Sequence, residues 1–149
     1  MNNPYYELTS KLLDALYTEA MVLADEARSY FDRDTMSGMV SPLISVSFSC
    51  ESLKVTTRLM HSIAWLLNQK ALRAGELSEY DASSNSRDLG YAPASDDVMA
   101  LHFPEDAQNI IRASEDLYYR LERINNGIRR QNADIPMPHT LRDRILQAF

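Results

Sequence analysis

The chain has a single cysteine and no long apolar run, and each of these shortages excludes a class of protein. Its single cysteine, Cys50, cannot form an internal disulfide, which fits a reducing compartment. No apolar run is longer than residues 63–67, whereas a membrane-spanning helix needs about 20 apolar residues. The N-terminal M-N-N-P-Y-Y-E-L has no basic region followed by an apolar stretch, so no signal peptide is expected. We therefore expect a cytoplasmic protein.

Positive charge is scarce as well. The 15 Lys and Arg residues are outnumbered by 21 Asp and Glu residues, and the net charge is −6. A protein that binds nucleic acid must neutralise phosphates with clustered Lys and Arg, but the strongest basic pair here is Arg129-Arg130. The sequence therefore predicts protein partners, and neither nucleic acid nor membrane.

Apolar residues recur at steps of three and four over three long segments, a pattern typical of helices with one buried face. The segments span residues 5–34, 42–74 and 105–131. A Ser-Pro pair opens the second segment, and Gly75 follows it where a left-handed C-cap is expected. Residues 140–149 are typical of a short C-terminal helix. We predict an all-α fold, an antiparallel bundle of three long helices.

Between the second and third helices lies a segment of different character, residues 76–104. Acidic residues dominate this segment and its edge: Glu76, Glu79, Asp81, Asp88, Asp96, Asp97 and Glu105. Connections of this length are uncommon inside compact domains and are usually functional or mobile. We predict a long, mobile acidic loop within a single domain that spans residues 1–149.

No set of residues converges on a catalytic or metal centre. Cys50 and His61 could share one helix face, but eleven residues rise about 16 Å along a helix, and a nucleophile must lie within about 3 Å of its base. His61, His102 and His139 lie on three different segments without metal-ligand spacing. The glycines are too far apart for a phosphate-binding loop. We predict no catalytic residue, no metal site and no cofactor, and therefore no enzyme.

Histidine phosphotransfer is one alternative, because phosphotransfer domains are helical bundles that expose a histidine on a helix. They usually show the pattern H-x-x-K-G. Here His61 is followed by S-I-A-W, so both the lysine and the glycine are missing. The alternative functions are therefore a phosphotransfer-like signalling bundle that uses His61, or a scaffold dimer.

Three charged residues of the second helix, Glu51, Lys54 and Arg58, follow one another at steps of three and four. Their side chains therefore share one stripe of the helix. Such a stripe is either a ladder of intrahelical ion pairs, each worth about 0.2–0.5 kcal/mol, or a charged patch that binds a partner. The ladder is the simpler interpretation, and the three residues are kept as candidate partner-binding residues.

The second helix is also apolar on more than one side. One apolar stripe consists of Leu53, Met60, Ile63 and Leu67. The other consists of Val55, Leu59 and Leu66, and Trp65 lies between the two stripes. A helix of this kind is buried on several sides. Either it is central in its own bundle, or a second copy of the chain covers the remaining stripe. The residues predicted for the core or for a homodimer interface are Val55, Leu59, Trp65 and Leu66.

Longer strings within the same helix resemble a known family. The matching strings are E-S at 51–52, T-T-R-L-M at 56–60, W-L-L at 65–67, Gln69 and Gly75-Glu76, with E-A-R-S-Y-F at 26–31 and S-P-L at 41–43. In these residues the chain resembles the alphaproteobacterial RcdA family, regulator of CtrA degradation, formerly DUF1465.

The resemblance implies a homodimeric three-helix bundle without a catalytic centre. It also implies an adaptor that bridges the ClpXP protease, through partners such as the response regulator CpdR, to cell-cycle substrates such as the transcription factor CtrA. Substrate presentation in that family involves a flexible C-terminal tail, whereas the eleven residues after Pro138 are typical of a short helix here. We expect partners to bind the first and third helices and the acidic loop.

Overall fold

A computed structural model describes residues 4–33, 41–76, 88–133 and 147–148, and their regular secondary structure is helical. The helices are α1 (Pro4–Phe31), α2 (Pro42–Arg73), the single turn α3 (Asp97–Ala100) and α4 (Glu105–Ala133). The predicted all-α fold with three long helices is confirmed. The predicted C-terminal helix at 140–149 lies almost entirely outside the described residues.

Both ends of α2 form where the sequence predicts them. At the start, the Ser41 Oγ accepts a hydrogen bond from the Ile44 N–H (3.4 Å), and Pro42 occupies the first turn. At the end, Gly75 has a φ of 74°, in the left-handed region that favours glycine. The N–H groups of Gly75 and Glu76 then donate to the carbonyl oxygens of Leu72 and Ala71, which closes the helix.

Helix α1 runs antiparallel to both other long helices. Near one end of the bundle, the Lys70 Nζ lies 3.3 Å from the Asp14 Oδ1. Near the other end, the rings of Phe31 and Phe48 are 5.3 Å apart between centroids. An ion pair between Glu19 and Arg120 joins the middle of α1 to α4.

Helices α2 and α4, by contrast, run in the same direction. Arg58 contacts Ser114, and Trp65, about two turns further along α2, contacts Asn125, about three turns further along α4. The predicted antiparallel arrangement thus holds for α1 against its two neighbours. The physical reason for the parallel pair is the long connection after α2, which returns the chain to the end of the bundle where α2 began.

The described part of this connection is built onto the bundle. Residues 88–96 have no regular secondary structure and contact α2 and α4 along their length. We call residues 88–96 the return segment. Its first residue, Asp88, pairs with Arg129 near the end of α4 (3.4 Å), and its last residue, Asp96, caps α3 by accepting from the Val98 and Met99 N–H groups.

The hydrophobic core lies between the three long helices and extends under α3. Its larger buried side chains are Leu13, Leu16, Leu23, Phe48, Val55, Leu59, Trp65, Leu66, Phe103, Ile110, Ile111, Leu117 and Leu121. Trp65 is 1% exposed, and its indole N–H donates to the Asn125 Oδ1 at 3.1 Å. The buried polar end of the indole is therefore satisfied, as a buried tryptophan requires.

Candidate interaction surfaces

Arg58 is buried at the junction of α2, α4 and the return segment, with 2% of the residue exposed. Its Nη1 donates to the Ser114 Oγ on α4 at 3.1 Å. Its Nη2 donates to the Pro93 carbonyl oxygen at 3.1 Å and to the Ser95 Oγ at 2.5 Å. One guanidinium therefore ties three parts of the chain together, using the fixed fork of donors that arginine provides.

Glu51 lies about two turns before Arg58 on α2 and is equally buried, with 2% exposed. Its Oε1 accepts from the Asp96 backbone N–H and from the Lys54 Nζ, both at 3.0 Å. Burial alone would raise the pKa of the Glu51 carboxyl. Hydrogen bonds from the Asp96 backbone, the Ser95 side chain and Lys54 outweigh that cost and hold the pKa below its ordinary value. Glu51 is therefore a carboxylate that anchors the end of the return segment.

Glu115 is the second carboxyl beside this junction and is half-buried. Burial raises the pKa of Glu115; the Arg58 charge opposes the rise, and Asp97 and Glu51 add to it. Two carboxyls of one cluster are thus shifted in opposite directions. Burial is the largest influence on the pKa of both carboxyls. At Glu51 several hydrogen bonds together outweigh it, whereas at Glu115 the Arg58 charge and a hydrogen bond from Ser95 do not.

The stripe of Glu51, Lys54 and Arg58 predicted from sequence therefore has contacts within the chain. Only Lys54 has a partly exposed side chain, at 27%. The role of the three residues in binding a partner stays a prediction. Sequence reasoning did not identify Ser95 and Ser114 as partners of Arg58. The available signal was Ser114 itself, a polar residue close to the apolar positions Ile111 and Leu117 of α4.

A second set of contacts fixes the beginning of the return segment. The Tyr118 hydroxyl donates to the Gly90 carbonyl oxygen (2.7 Å) and accepts from the Ala92 N–H (3.2 Å). Burial raises the pKa of Tyr118, so the hydroxyl stays protonated and able to donate. Gly90 packs directly on His61: a Cβ added at Gly90 would lie 2.6 Å from the His61 Nδ1. Only a residue without a side chain fits at this position.

His61 is thus half-buried beneath the return segment. Its Nδ1 is buried and has no hydrogen-bond partner among the described residues. Cys50, the other residue weighed as a nucleophile, is exposed on α2. Within the described part of the chain, no three side chains of His, Cys, Asp or Glu come together in a way that could hold a metal ion.

The two apolar stripes of α2 have different surroundings. The four residues predicted for the core or a dimer interface all lie in the core of this chain, with exposures of 0–3%: Val55, Leu59, Trp65 and Leu66. On the other side, Leu53 is 68% exposed, Met60 64% and Leu67 46%. Two residues nearer the start of the helix, Leu43 (69%) and Val46 (61%), extend this exposed stripe.

We define the α2 outer face by eight residues: Leu43, Val46, Cys50, Leu53, Thr57, Met60, Ala64 and Leu67. Thr57 is half-buried and the others are exposed. Successive members are separated by three and four residues in alternation, the a and d spacing of a heptad repeat. Helix α2 contains one acidic residue, Glu51, and that residue is buried. The outer face is therefore an apolar stripe without carboxylates in a chain whose net charge is −6.

Two concave surfaces lie elsewhere on the bundle. A groove of about 450 Å³ runs between the return segment and α4, where Tyr91 (83% exposed) and Tyr119 (45% exposed) lie beside Glu122 and Arg129. A smaller apolar hollow of about 270 Å³ lies between α1 and α2 and borders Met60 of the outer face. No described helix combines the length and the apolarity needed to cross a membrane.

Comparisons with known proteins place this bundle among relatives. The model of the family DUF1465, described as protein of unknown function, matches residues 6–149. Among solved structures, the chain is similar to RcdA from Caulobacter crescentus CB15, with 29% identity and a TM-score of 0.60; the match covers 76% of this chain and 87% of that one. No curated protein matches at a significant level.

Proposed function

The chain belongs to the DUF1465 family, and on that premise we propose that it is a non-enzymatic adaptor of regulated proteolysis in the cytoplasm. In this role it binds the ClpXP protease together with a CpdR-type response regulator. It then presents cell-cycle substrates, such as the CtrA transcription factor, to the protease. The adaptor works as a homodimer.

The observation that carries the proposal is the similarity to RcdA. It extends over 76% of this chain at 29% identity with a TM-score of 0.60, and therefore over most of the fold. A regulator of CtrA degradation is what the family name describes, and an adaptor needs binding surfaces in place of a reactive centre.

The surfaces of the described residues support this proposal. Large apolar side chains are exposed to solvent on several parts of the bundle, including Leu12, Val22, Leu53, Tyr91 and Leu101. Exposed apolar patches of this kind mark protein–protein contacts when they are contiguous. The groove beside Tyr91 and Tyr119 is a candidate surface for a partner peptide, because tyrosines supply large contact area and a hydroxyl.

A reconstituted degradation assay tests the proposal. We expect purified chain, added to ClpXP, a CpdR-type regulator and CtrA, to accelerate the loss of CtrA several-fold. A substrate that ClpXP degrades without any adaptor serves as the control and should be lost at the same rate with and without the chain. If CtrA is degraded at an unchanged rate and no regulator or protease subunit binds the chain, the adaptor role is wrong.

Salt dependence sharpens the same assay. If the acidic loop at 76–104 binds a basic partner surface, the affinity should fall as ionic strength rises, because exposed charges are screened within about 8 Å at physiological salt. The affinity is measured at low and high salt for the same pair of proteins. An affinity that does not change with salt would remove the acidic loop from the binding surface.

A further inference from the structure

From the α2 outer face we infer how two copies of this chain pair: their α2 helices pack antiparallel along the heptad stripe from Leu43 to Leu67. The stripe is about 36 Å long at 1.5 Å per residue, and it spans more than three heptads. Sustained a and d positions of this length are typical of helices that pair with another helix. This inference deepens the homodimer within the proposed function and does not depend on the protease.

Charge favours a second copy on this face. Two chains that each carry a net charge of −6 repel one another over most of their surfaces. The outer face has no acidic residue. The positions that flank it are mostly uncharged: Ser47, Ser49, Lys54, Thr56, His61 and Ile63. Lys54, the one residue among them with a permanent charge, already pairs with Glu51 at 3.0 Å. Two copies can therefore meet here without carboxylates facing each other.

The sizes of the side chains decide the orientation. One row of the stripe begins with Leu43 and continues with three small residues, Cys50, Thr57 and Ala64. The other row is large: Val46, Leu53, Met60 and Leu67. Two parallel helices in register would place small residues against small and large against large, leaving gaps in alternate layers. Two antiparallel helices place each small residue opposite a large one, which fills the layers evenly.

Among the antiparallel registers, only one pairs all eight residues of the stripe, and it places Cys50 opposite Met60 of the second copy. A shift of one heptad in either direction leaves two of the eight residues without a partner, so we infer the full register. In this register the two Cys50 residues are separated by ten residues along the helix axis, or about 15 Å. A disulfide requires Cα atoms within about 7 Å. The native cysteines therefore cannot link two copies to each other.

Cysteine crosslinking tests orientation and register together. Under mild oxidation, the wild-type chain should give no covalent dimer. Met60→Cys should give a dimer linked through native Cys50, and Cys50→Ser in the same background should remove that link. Leu101→Cys, at a site 70% exposed outside the outer face, is the matched control and should give no such product. A wild-type disulfide through Cys50 would overturn this register. Absence of a link from Met60→Cys would overturn the interface.

Light scattering provides the second measurement. Wild-type chain should have twice the 17.0 kDa mass of one chain, and Leu53→Asp should have the mass of one chain while keeping its helical circular dichroism. Leu101→Asp should remain a dimer, since Leu101 and Leu53 are similarly exposed. A monomeric wild type, or a dimer unaffected by Leu53→Asp, contradicts the inference. If dimers form as inferred but CtrA degradation is unchanged, only the adaptor role fails.

Discussion

The inner and outer faces of α2 are similarly apolar in sequence but differ in what covers them. Val55 and Leu66, on the inner face, are 0% exposed, whereas Leu53, on the outer face, is 68% exposed. The inner face also carries the buried charges of Glu51 and Arg58, and the outer face carries none. Apolar composition therefore indicates that a helix face is covered, but not by which molecule. The buried charges of Glu51 and Arg58 distinguish the inner face, because their partners lie within the same chain.

The largest loss of stability is expected when Arg58 is replaced. Truncation by Arg58→Ala should lower the free energy of unfolding by about 3–5 kcal/mol, because it leaves a buried cavity and removes the hydrogen bonds to Ser114, Pro93 and Ser95. Lys54→Ala removes a partly exposed partner of the Glu51 carboxylate and should cost about 1 kcal/mol or less. Urea unfolding of both variants measures the difference. Equal losses would mean that Arg58 does not hold the return segment.

The neighbouring leucines Leu66 and Leu67 compare the two faces directly. Leu66 is 0% exposed and Leu67 is 46% exposed. Leu66→Ala should therefore cost about 2–5 kcal/mol, whereas Leu67→Ala should cost about 0.5 kcal/mol in the monomeric chain. Thermal or urea unfolding at low protein concentration checks this. Similar losses for the two variants would contradict the assignment of inner and outer faces.

Two glycines provide a smaller contrast. Gly90→Ala places a Cβ against the His61 ring and should destabilise the chain by about 1–3 kcal/mol. Gly127 lies within α4 with nothing within 4 Å of an added Cβ, so Gly127→Ala should stabilise by about 0.5–1 kcal/mol. Melting temperatures should move in opposite directions. If Gly90→Ala leaves the melting temperature unchanged, the return segment can move away from His61 without a loss of stability.

The effect of pH on the junction is expected to be the smallest. The pKa of Glu51 is lowered on folding, so its contribution to stability is present at neutral pH and is lost as pH falls through the folded pKa. The pKa of Glu115 is raised, so ionised Glu115 opposes folding at neutral pH and this cost disappears as pH falls.

The variants Glu51→Gln and Glu115→Gln should therefore have opposite effects. At pH 7 the first should be less stable than wild type and the second slightly more stable, and both differences should shrink toward pH 3. Urea midpoints across this pH range supply the measurement. Changes of the same sign in the two variants would be incompatible with the opposite pKa shifts.

The sequence was sufficient to predict the long helices, because their periodicity and caps are local. The predicted second helix, 42–74, ends within one residue of the observed Pro42–Arg73, and Gly75 caps it as expected. The direction of α4 relative to α2 was not predictable, because it depends on how the chain between them returns. The burial of Arg58 was also missed: its partners Ser95 and Ser114 lie 37 and 56 residues away, and a charged residue on a helix is usually solvated.

The central claim is that the inner face of α2 is covered by its own chain and the outer face by a second copy. The alkylation rate of Cys50, which is exposed in one chain, tests it most directly when measured over a wide range of protein concentration. The rate constant should fall as concentration rises in the wild type and stay constant in Leu53→Asp. A rate constant that is the same at every concentration in both proteins would contradict the claim.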